Sequence, residues 1–378
     1  MTQYNYNRFN RNIGEDCSDI DLDATGATQQ VLARSGLDWP VHLQDGLGDD
    51  WIYTGNKPRN TYRWVEEYDE DGTPTGFIRK LHLGQSTDRR KVFQNQDVFD
   101  AVVKFCQSNE LPILRAGMLN RGVRQFAICG LNESFELKGG DTINAQILIL
   151  HSHAVGSLTF AILTERPICF NQLVLPPQVK QISLQHTRTF STEEAIAKLT
   201  ELQDGVRLFQ RQAEYLSDRS IRAADLSADA YKDAQAWIVN NLGDPDKRLY
   251  QQPRYVKEML GGNDDMLAQA VALKTVLRSG SSIRLLEEGS TSEDASLDKL
   301  PKAFQEIMDL YYNGPGSELQ SAFNTPWGIL NAVTHYYNHH SSLRGGIGGH
   351  FGSLWQGSKA QTTQYALQQS QAVAALVD

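Results

Sequence analysis

The most apolar stretch of the chain runs from Asn144 to Leu173, and one polar group, His151-Ser152-His153, interrupts it. Its density of isoleucine, leucine, valine and phenylalanine predicts two buried strands that are joined near residues 154–157. No other stretch of the chain is as apolar. We therefore expect these two strands to form the centre of the core.

Alternating and helical patterns predict further elements on both sides of this centre. Before it, we expect a helix, a strand, a hairpin, a helix and a second hairpin, at Thr28–Ser35, Leu37–Leu43, Tyr62–Tyr68 with Gly76–Leu83, Asn95–Ser108, and Leu111–Leu119 with Val123–Leu131. After it, we expect one strand and then helices, at Gln181–Thr187, 193–216, Ala228–Asn241, Tyr255–Glu258, Met266–Arg278, Leu300–Tyr312, Pro326–His340 and the C-terminus.

Strands mixed with helices come first in this order, and helices alone come later. The order predicts an α+β fold with an antiparallel sheet core instead of alternating βαβ units. We divide the chain into a flexible acidic arm (1–24), an α+β core domain (25–190), a helical region (191–320) with a flexible loop near 287–296, and a C-terminal helical module (321–378) that contains a glycine-rich loop.

Composition and charge narrow the class of protein. Hydrophobic residues make up 40% of the chain and charged residues 21%, which excludes wholesale disorder. The net charge of −9 speaks against a surface coated with lysine and arginine. The charge is uneven, however: residues 1–56 hold nine acids and three bases (−6), whereas residues 76–125 hold nine bases and four acids (+5).

No two of the four cysteines have CxxC spacing, and three of them lie in apolar surroundings. This pattern predicts reduced thiols in the core. The first residues lack the apolar segment of a signal peptide, and the longest apolar run is too short and polar to span a bilayer. We expect a soluble protein of the host-cell cytosol without a membrane partner.

The basic segment 76–125 interleaves cations with aromatic residues, which suits a single nucleic-acid strand, because phosphates attract cations and unstacked bases stack on rings. The predicted phosphate contacts are Arg79, Lys80, Arg89, Arg90, Lys91, Arg121 and Arg124. The predicted stacking residues are Trp64, Phe77 and Phe93. The alternative is a solvated hairpin and helix start, which the sequence alone favours.

Two groups of histidines could bind a divalent metal. His151 and His153 share one face of a predicted strand, with His186 in the neighbouring strand as a third ligand. The favoured interpretation of this group is hydrogen-bonded histidines that orient a turn. His335 and His339 lie on one side of a predicted helix, together with Asn331, Thr334 and Asn338. There we favour a solvated or interface-facing polar stripe over a metal site.

The glycine-rich segment 344–359 is a near miss to a phosphate-binding P-loop. Gly352 and Gly357 have the required spacing, but Ser358 precedes Lys359, where the motif needs the lysine first. We favour a flexible loop without a ligand. The alternative is a phosphate held by backbone N–H groups with Arg344 and Lys359.

Several stretches resemble the family catalogued as domain of unknown function 932, the phage/plasmid-like proteins. They lie at residues 31–43, 92–100, 116–128, 148–173, 182–195, 324–340 and 352–367, in the family's order, and cover most of the chain beyond residue 25. Two departures stand out. The turn at 151–157 has one extra residue, and His335 and Asn338 replace a glutamate and an aspartate of the family.

The resemblance implies a role in the replication, recombination or maintenance of mobile DNA. The order of elements is also similar in outline to that of phage annealing proteins. We therefore expect binding or annealing of single-stranded DNA without covalent catalysis or a cofactor, and self-association through the long helix 193–216. The alternatives are a metal-dependent enzyme that uses the clustered histidines and a protein that binds a host or phage protein.

Overall fold

The computed structural model describes residues 13–45, 58–69, 71, 73–87, 92–154, 157–175, 181–185, 192–225, 257–259, 262–277, 302–341 and 346–377. The described strands are β1 (Glu15–Asp16), β2 (His42–Asp45), β3 (Pro58–Tyr68), β4 (Pro74–Thr87), β5 (Ile113–Leu119), β6 (Arg124–Leu137), β7 (Asp141–Ser152), β8 (Ser157–Arg166), β9 (Asn171–Val174) and β10 (Gln181–Gln185). The longer helices of the same residues are α1 (Ala27–Arg34), α2 (Asn95–Ser108), α3 (Thr192–Asp218), α4 (Asp264–Leu277), α5 (Lys302–Asn313), α6 (Pro326–His335), α7 (Gly346–Gln356) and α8 (Ser358–Leu376).

The central strands form one antiparallel sheet in the order β1–β5–β6–β7–β8–β10, and β9 also pairs with β8. The apolar centre becomes β7 and β8, in register with Ile149 opposite Phe160. Residues 147–150 of β7 are all buried, so both faces of the sheet are covered at this point. The predictions of two central strands and of an α+β fold with an antiparallel core are confirmed.

Buried residues from Ile13 to Ala374 belong to one hydrophobic cluster. The division of the chain into four parts stays a prediction, and no break between those parts interrupts the cluster in the described residues. Residues 13–24 were assigned to a flexible arm, which is wrong for this stretch. β1 pairs with β5, and Ile13 and Cys17 are buried.

The long helix α3 begins near its predicted start, but its apolar stripe packs against other parts of the same chain. Residues Leu202, Val206, Phe209 and Leu216 are all buried in the chain's own core. Phe209 lies 6.1 Å from Phe135 of β6 and 6.1 Å from Trp327 of α6, measured between ring centroids. The described stripe is therefore covered within the chain, and the expectation that it mediates self-association loses its basis.

The segment Leu37–Val41 belongs to no strand, so only the end of the predicted strand Leu37–Leu43 lies in β2. The backbone of this segment forms hydrogen bonds instead with side-chain amides at the start of α2. Asn95 donates to the carbonyl oxygens of Leu37 and Trp39, and Gln94 hydrogen-bonds to both N–H and C=O of Val41. Two polar side chains thus take the place of a neighbouring strand.

The C-terminal helices dock on the sheet through buried polar groups. Asp141 at the start of β7 is fully buried and accepts two hydrogen bonds from Arg166, at 2.6 and 2.9 Å. The same carboxylate accepts from Ser321 Oγ at 2.6 Å and from Trp327 Nε1 at 3.0 Å. Because Trp327 belongs to α6, this network fixes the helix to the start of β7.

The polar side of α6 is buried, which corrects the prediction of a solvated or interface-facing stripe. Asn331, Thr334 and His335 contact Asn171 of β9, and Asn338 contacts Gln172. The helix continues from Tyr336 to His340 as a π-helical turn, so the predicted span Pro326–His340 is helical throughout. The predicted glycine-rich loop is also wrong for Gly346–Gln356, which forms α7.

A second, three-stranded antiparallel sheet has the order β2–β3–β4. β3 and β4 form the predicted hairpin, and the turn closes with Asp69 N donating to Thr73 O at 3.0 Å. At the base of the hairpin, a Cβ on Gly84 would lie 2.4 Å from the Cα of Ala154. A glycine at this position therefore lets β4 lie directly against the turn after β7.

Several predictions fall outside the described residues. These are the helix Ala228–Asn241, the first half of the helix Tyr255–Glu258, the loop 287–296, His186, and the basic run Arg89–Lys91. In the part of the chain that is described, no helix is both long and apolar enough to cross a membrane.

Candidate functional site

One face of the small sheet carries a group of aromatic rings and a lysine. Tyr62 and Trp64 are two apart on β3 and therefore point to the same side. His42 of β2 lies directly opposite Tyr62, and Lys80 of β4 lies directly opposite Trp64. Residues directly opposite each other in an antiparallel pair share a face. We call His42, Tyr62, Trp64 and Lys80 the aromatic face.

The rings of the aromatic face are in contact with one another. The centroids of His42 and Tyr62 are 5.3 Å apart with nearly parallel planes (24°), and those of Tyr62 and Trp64 are 5.5 Å apart with perpendicular planes (88°). Lys80 Nζ lies 4.7 Å from the centroid of Tyr62 and 5.4 Å from that of Trp64. The same ammonium donates to Gln44 Oε1 at 2.8 Å.

This face points to solvent, which is unusual for a cluster of rings. The outer face of a one-sided antiparallel sheet is ordinarily polar, whereas Trp64 is 45% exposed and Lys80 is exposed. The inner face is the packed one, since Thr61 and Leu83 are buried there. An exposed aromatic cluster on rigid strands is typical of a binding surface.

The charge of Lys80 is available to a ligand. Within the described residues Lys80 forms no ion pair, and its cation–π contacts are of the exposed kind, which contribute about 0.5–1 kcal/mol each. A negatively charged group can therefore draw the ammonium away from the rings at small cost. The rings then offer their faces to another planar group.

Phe77 and Arg79 lie on the opposite face of the hairpin from Trp64 and Lys80. Arg79 is directly across from Val65, and its Nε forms an ion pair with Glu67 Oε1 at 3.1 Å. Phe77 is 71% exposed. The sequence placed all four residues in one groove, whereas the alternation of the strands separates them into two pairs.

The other predicted nucleic-acid contacts are elsewhere. Phe93 is half-buried and packs against the core beside α2. Arg121 lies in the turn between β5 and β6, and Arg124 begins β6, with its Nη1 3.5 Å from the position that a Cβ on Gly352 of α7 would take. Arg89, Arg90 and Lys91 are outside the described residues.

The sequence analysis missed Tyr62, His42 and Arg63. Tyr62 had a usable signal, because it stands two residues before Trp64 in a predicted strand and must share its face. The pairing of His42 with Tyr62 depends on the register of β2, and the proximity of Arg63 to the β5–β6 turn depends on tertiary packing. Neither relationship is visible in the local sequence.

His151 and His153 form a buried, perpendicular pair with centroids 4.6 Å apart. His151 Nδ1 hydrogen-bonds to Gln125 Oε1, and His153 Nε2 hydrogen-bonds to Asn95 Oδ1 at 3.0 Å. These contacts agree with the favoured interpretation of hydrogen-bonded histidines at a strand end. The third predicted ligand, His186, is not among the described residues, so a metal site that includes it stays a prediction.

The second histidine pair is also part of the packing. His335 is buried, its Nδ1 hydrogen-bonds to Asn171 Oδ1 at 2.8 Å, and its ring lies 4.5 Å from that of His339. Throughout the described ranges, no group of three or more histidine, cysteine, aspartate or glutamate residues is arranged to hold a metal ion.

Lys359 of the glycine-rich segment contacts a histidine. Its Nζ lies 2.8 Å from His350 Nδ1, and His350 Nε2 donates to the carbonyl oxygen of Asn338 at 3.0 Å. Burial lowers the pKa of Lys359 to about 8. Burial, together with the nearby charge of Lys359, lowers the pKa of His350 to about 4. His350 is therefore a neutral acceptor for the lysine at neutral pH.

Comparison with known proteins identifies a family match. The model of a protein family described as Domain of unknown function (DUF932) matches residues 82–373, well over half of the chain. No curated protein and no solved structure matches the chain.

Proposed function

We propose that this chain, which belongs to the family described as Domain of unknown function (DUF932), binds single-stranded DNA through the aromatic face. The observation that carries the proposal is the solvent-facing contact of Tyr62 and Trp64 with Lys80 across the ladder. Aromatic side chains beside a cation are the combination that single-stranded nucleic acid requires.

In the proposed complex, unpaired bases stack on Tyr62 and Trp64, and Lys80 moves from the rings to a phosphate. Stacking on a protein ring contributes about 1–3 kcal/mol per base and tolerates every base, because each base has a π-face. The contact therefore favours strands without a defined sequence. His42, stacked on Tyr62, holds that ring in place.

Stacking uses the faces of the bases and leaves their hydrogen-bonding edges open. A second strand can thus pair with a strand that is held in this way, which fits annealing better than sequence-specific recognition. No step of this activity makes or breaks a covalent bond. We extend the proposal to a role in recombination or replication of phage or plasmid DNA.

The proposal places the protein in the host-cell cytosol. Cys17, Cys106, Cys129 and Cys169 are buried free thiols, which fits a reducing compartment. Burial raises the pKa of Cys17 to about 11, so this thiol stays protonated and unreactive. Self-association stays part of the proposal, but through a surface other than the described stripe of α3.

A binding titration tests the proposal. Fluorescence anisotropy of a labelled, unstructured oligonucleotide is measured at low salt for the wild type, Tyr62→Ala and Trp64→Ala. Phe77→Ala is the matched control, because Phe77 is an even more exposed ring of the same hairpin on the opposite face. We expect each aromatic-face variant to weaken binding by about 1–3 kcal/mol and the control to bind as the wild type does.

Two results contradict the proposal. One is a wild type that does not bind the oligonucleotide at low salt. The other is a loss of affinity in Phe77→Ala as large as in Trp64→Ala, since it would show general contact with exposed rings instead of stacking on the aromatic face.

A further inference from the structure

The junction between α7 and α8 brings a lysine onto the ring of a histidine. His350 belongs to α7, and Lys359 is the second residue of α8. Lys359 Nζ lies 2.8 Å from His350 Nδ1, and His350 Nε2 lies 3.0 Å from the carbonyl oxygen of Asn338. A carbonyl oxygen only accepts, so the ring proton is on Nε2 and Nδ1 keeps its lone pair. The lysine therefore donates to a neutral imidazole.

Three features of this place disfavour the ammonium form of Lys359. The residue is half-buried, and loss of water destabilises the charged form. It lies in the first turn of a 19-residue helix, where the positive end of the helix dipole opposes a cation. Its partner His350 is neutral and stabilises a cation less than a carboxylate does. Burial lowers the pKa of Lys359 to about 8, so about a tenth of the amine is neutral at pH 7.

The start of α8 is held firmly against α7. The backbone N–H of Lys359 donates to Ser353 Oγ at 3.3 Å, and that of Gly357 donates to the carbonyl oxygen of Ser353 at 3.1 Å. The helix α7 is in turn anchored on the central sheet, because the buried ring of Trp355 lies 5.0 Å from that of Phe126, measured between centroids. Hydrogen bonds thus fix Lys359 at its backbone and at its amine.

We propose that Lys359 is a nucleophilic amine that takes an acyl group from a thioester. Only the neutral amine has a lone pair, and desolvation is one of the ways in which proteins activate lysine. The lone pair attacks the carbonyl carbon, the N–C bond forms, and the C–S bond breaks. The thiolate leaves with the bonding electrons and takes up the proton that the nitrogen loses. The products are an amide and a thiol, and no other reactant is needed.

Acylation would remove a positive charge from the junction between α7 and α8, because an amide is not protonated at neutral pH. The site does not depend on the proposed function. All four residues of the aromatic face belong to β2, β3 and β4, whereas Lys359 and His350 belong to the C-terminal helices.

Acetylation of the full chain by S-acetyl-N-acetylcysteamine, followed at each lysine by peptide mass spectrometry, tests the proposal. At pH 7 we expect Lys359 to react about tenfold or more faster than Lys138, since each pKa unit below the ordinary lysine value raises the neutral fraction about tenfold. The rate at Lys359 should level off above pH 8, where most of the amine is neutral. An exposed lysine reaches this point only above about pH 10.

Lys138 is the internal control, because its Nζ pairs with a carboxylate, that of Asp218, at 2.6 Å. Lys359→Arg keeps the positive charge and should abolish the fast acetylation, whereas Lys138→Arg should leave it unchanged. The proposal is overturned if Lys359 reacts no faster than Lys138 at pH 7, or if its rate rises without levelling off up to about pH 10.

Discussion

Asn338 hydrogen-bonds through its side-chain amide to both backbone groups of Gln172. Its Oδ1 accepts from Gln172 N at 3.2 Å, and its Nδ2 donates to Gln172 O at 3.0 Å. The amide thus imitates the edge of another strand beside β9 and ends the sheet. A helix-borne side chain that looked solvated in the sequence therefore covers a strand edge.

Replacement of Asn338 by alanine should destabilise the fold by about 1–3 kcal/mol, because it leaves partly buried backbone groups of β9 without partners. The free energy of unfolding from urea titration measures the effect. Asn313→Ala is the matched control: Asn313 is an exposed helical asparagine that donates to Asp309, and its loss should cost under about 0.5 kcal/mol. Equal losses in the two variants would contradict the edge-capping role.

Because Asp141 pairs with the buried Arg166, removal of this one carboxylate should strongly destabilise the fold. Asp141→Ala leaves a buried guanidinium without its partner and removes the acceptor of Ser321 and Trp327, which should destabilise the fold by about 3–5 kcal/mol. Asp218→Ala breaks the exposed pair with Lys138 and should cost about 0–1 kcal/mol. Urea unfolding of both variants measures the contrast, and losses of similar size would refute it.

Local pattern predicted most of the described helices and strands, whereas tertiary pairing decided which polar side chains are buried. The helix Asn95–Ser108 and the strands around Ile149 carry clear apolar periods, so their predictions are confirmed. The prediction that the polar side of α6 is solvated was wrong, because the sequence does not show whether an asparagine is buried with hydrogen-bond partners or exposed to water. In the candidate site, Trp64 and Lys80 are brought together as predicted, whereas strand alternation separates them from Phe77 and Arg79.

His350 makes stability depend on pH. Its pKa is about 4 in the folded chain and 6.5 in an exposed histidine, so the unfolded chain binds more protons between these values. Stability is therefore lost as the pH falls from 6.5 to 4, by up to about 3 kcal/mol. The variant His350→Gln keeps an acceptor for Lys359 and does not titrate at this position, so it should not show this loss of stability. Urea unfolding at pH 7 and pH 4 tests the difference, and parallel losses in wild type and variant would contradict it.

Two glycines should respond in opposite ways to alanine. At Gly84 the new Cβ would collide with the backbone of Ala154, so Gly84→Ala should lower the stability of the fold by about 1–3 kcal/mol by pushing the small sheet away from the turn after β7. At Gly352 within α7 the new Cβ meets only Arg124, at an ordinary contact distance, and the helix gains about 1 kcal/mol from alanine. Thermal unfolding of the two variants shows the sign of each change. A stable Gly84→Ala would mean that the two sheets are not seated as closely as the structure shows.

Lys80 should account for about one phosphate contact in the proposed complex with single-stranded DNA. Each phosphate that a protein neutralises on a single strand adds about −0.7 to the slope of log affinity against log salt concentration. Lys80→Gln should therefore reduce the magnitude of this slope by about 0.7 while the stacking on Tyr62 and Trp64 persists. Arg79→Gln removes the same charge from the opposite face, where Glu67 already neutralises it, and should leave the slope unchanged. Anisotropy titrations at several salt concentrations give both slopes. If Arg79→Gln lowers the slope and Lys80→Gln does not, the strand follows the other face of the hairpin.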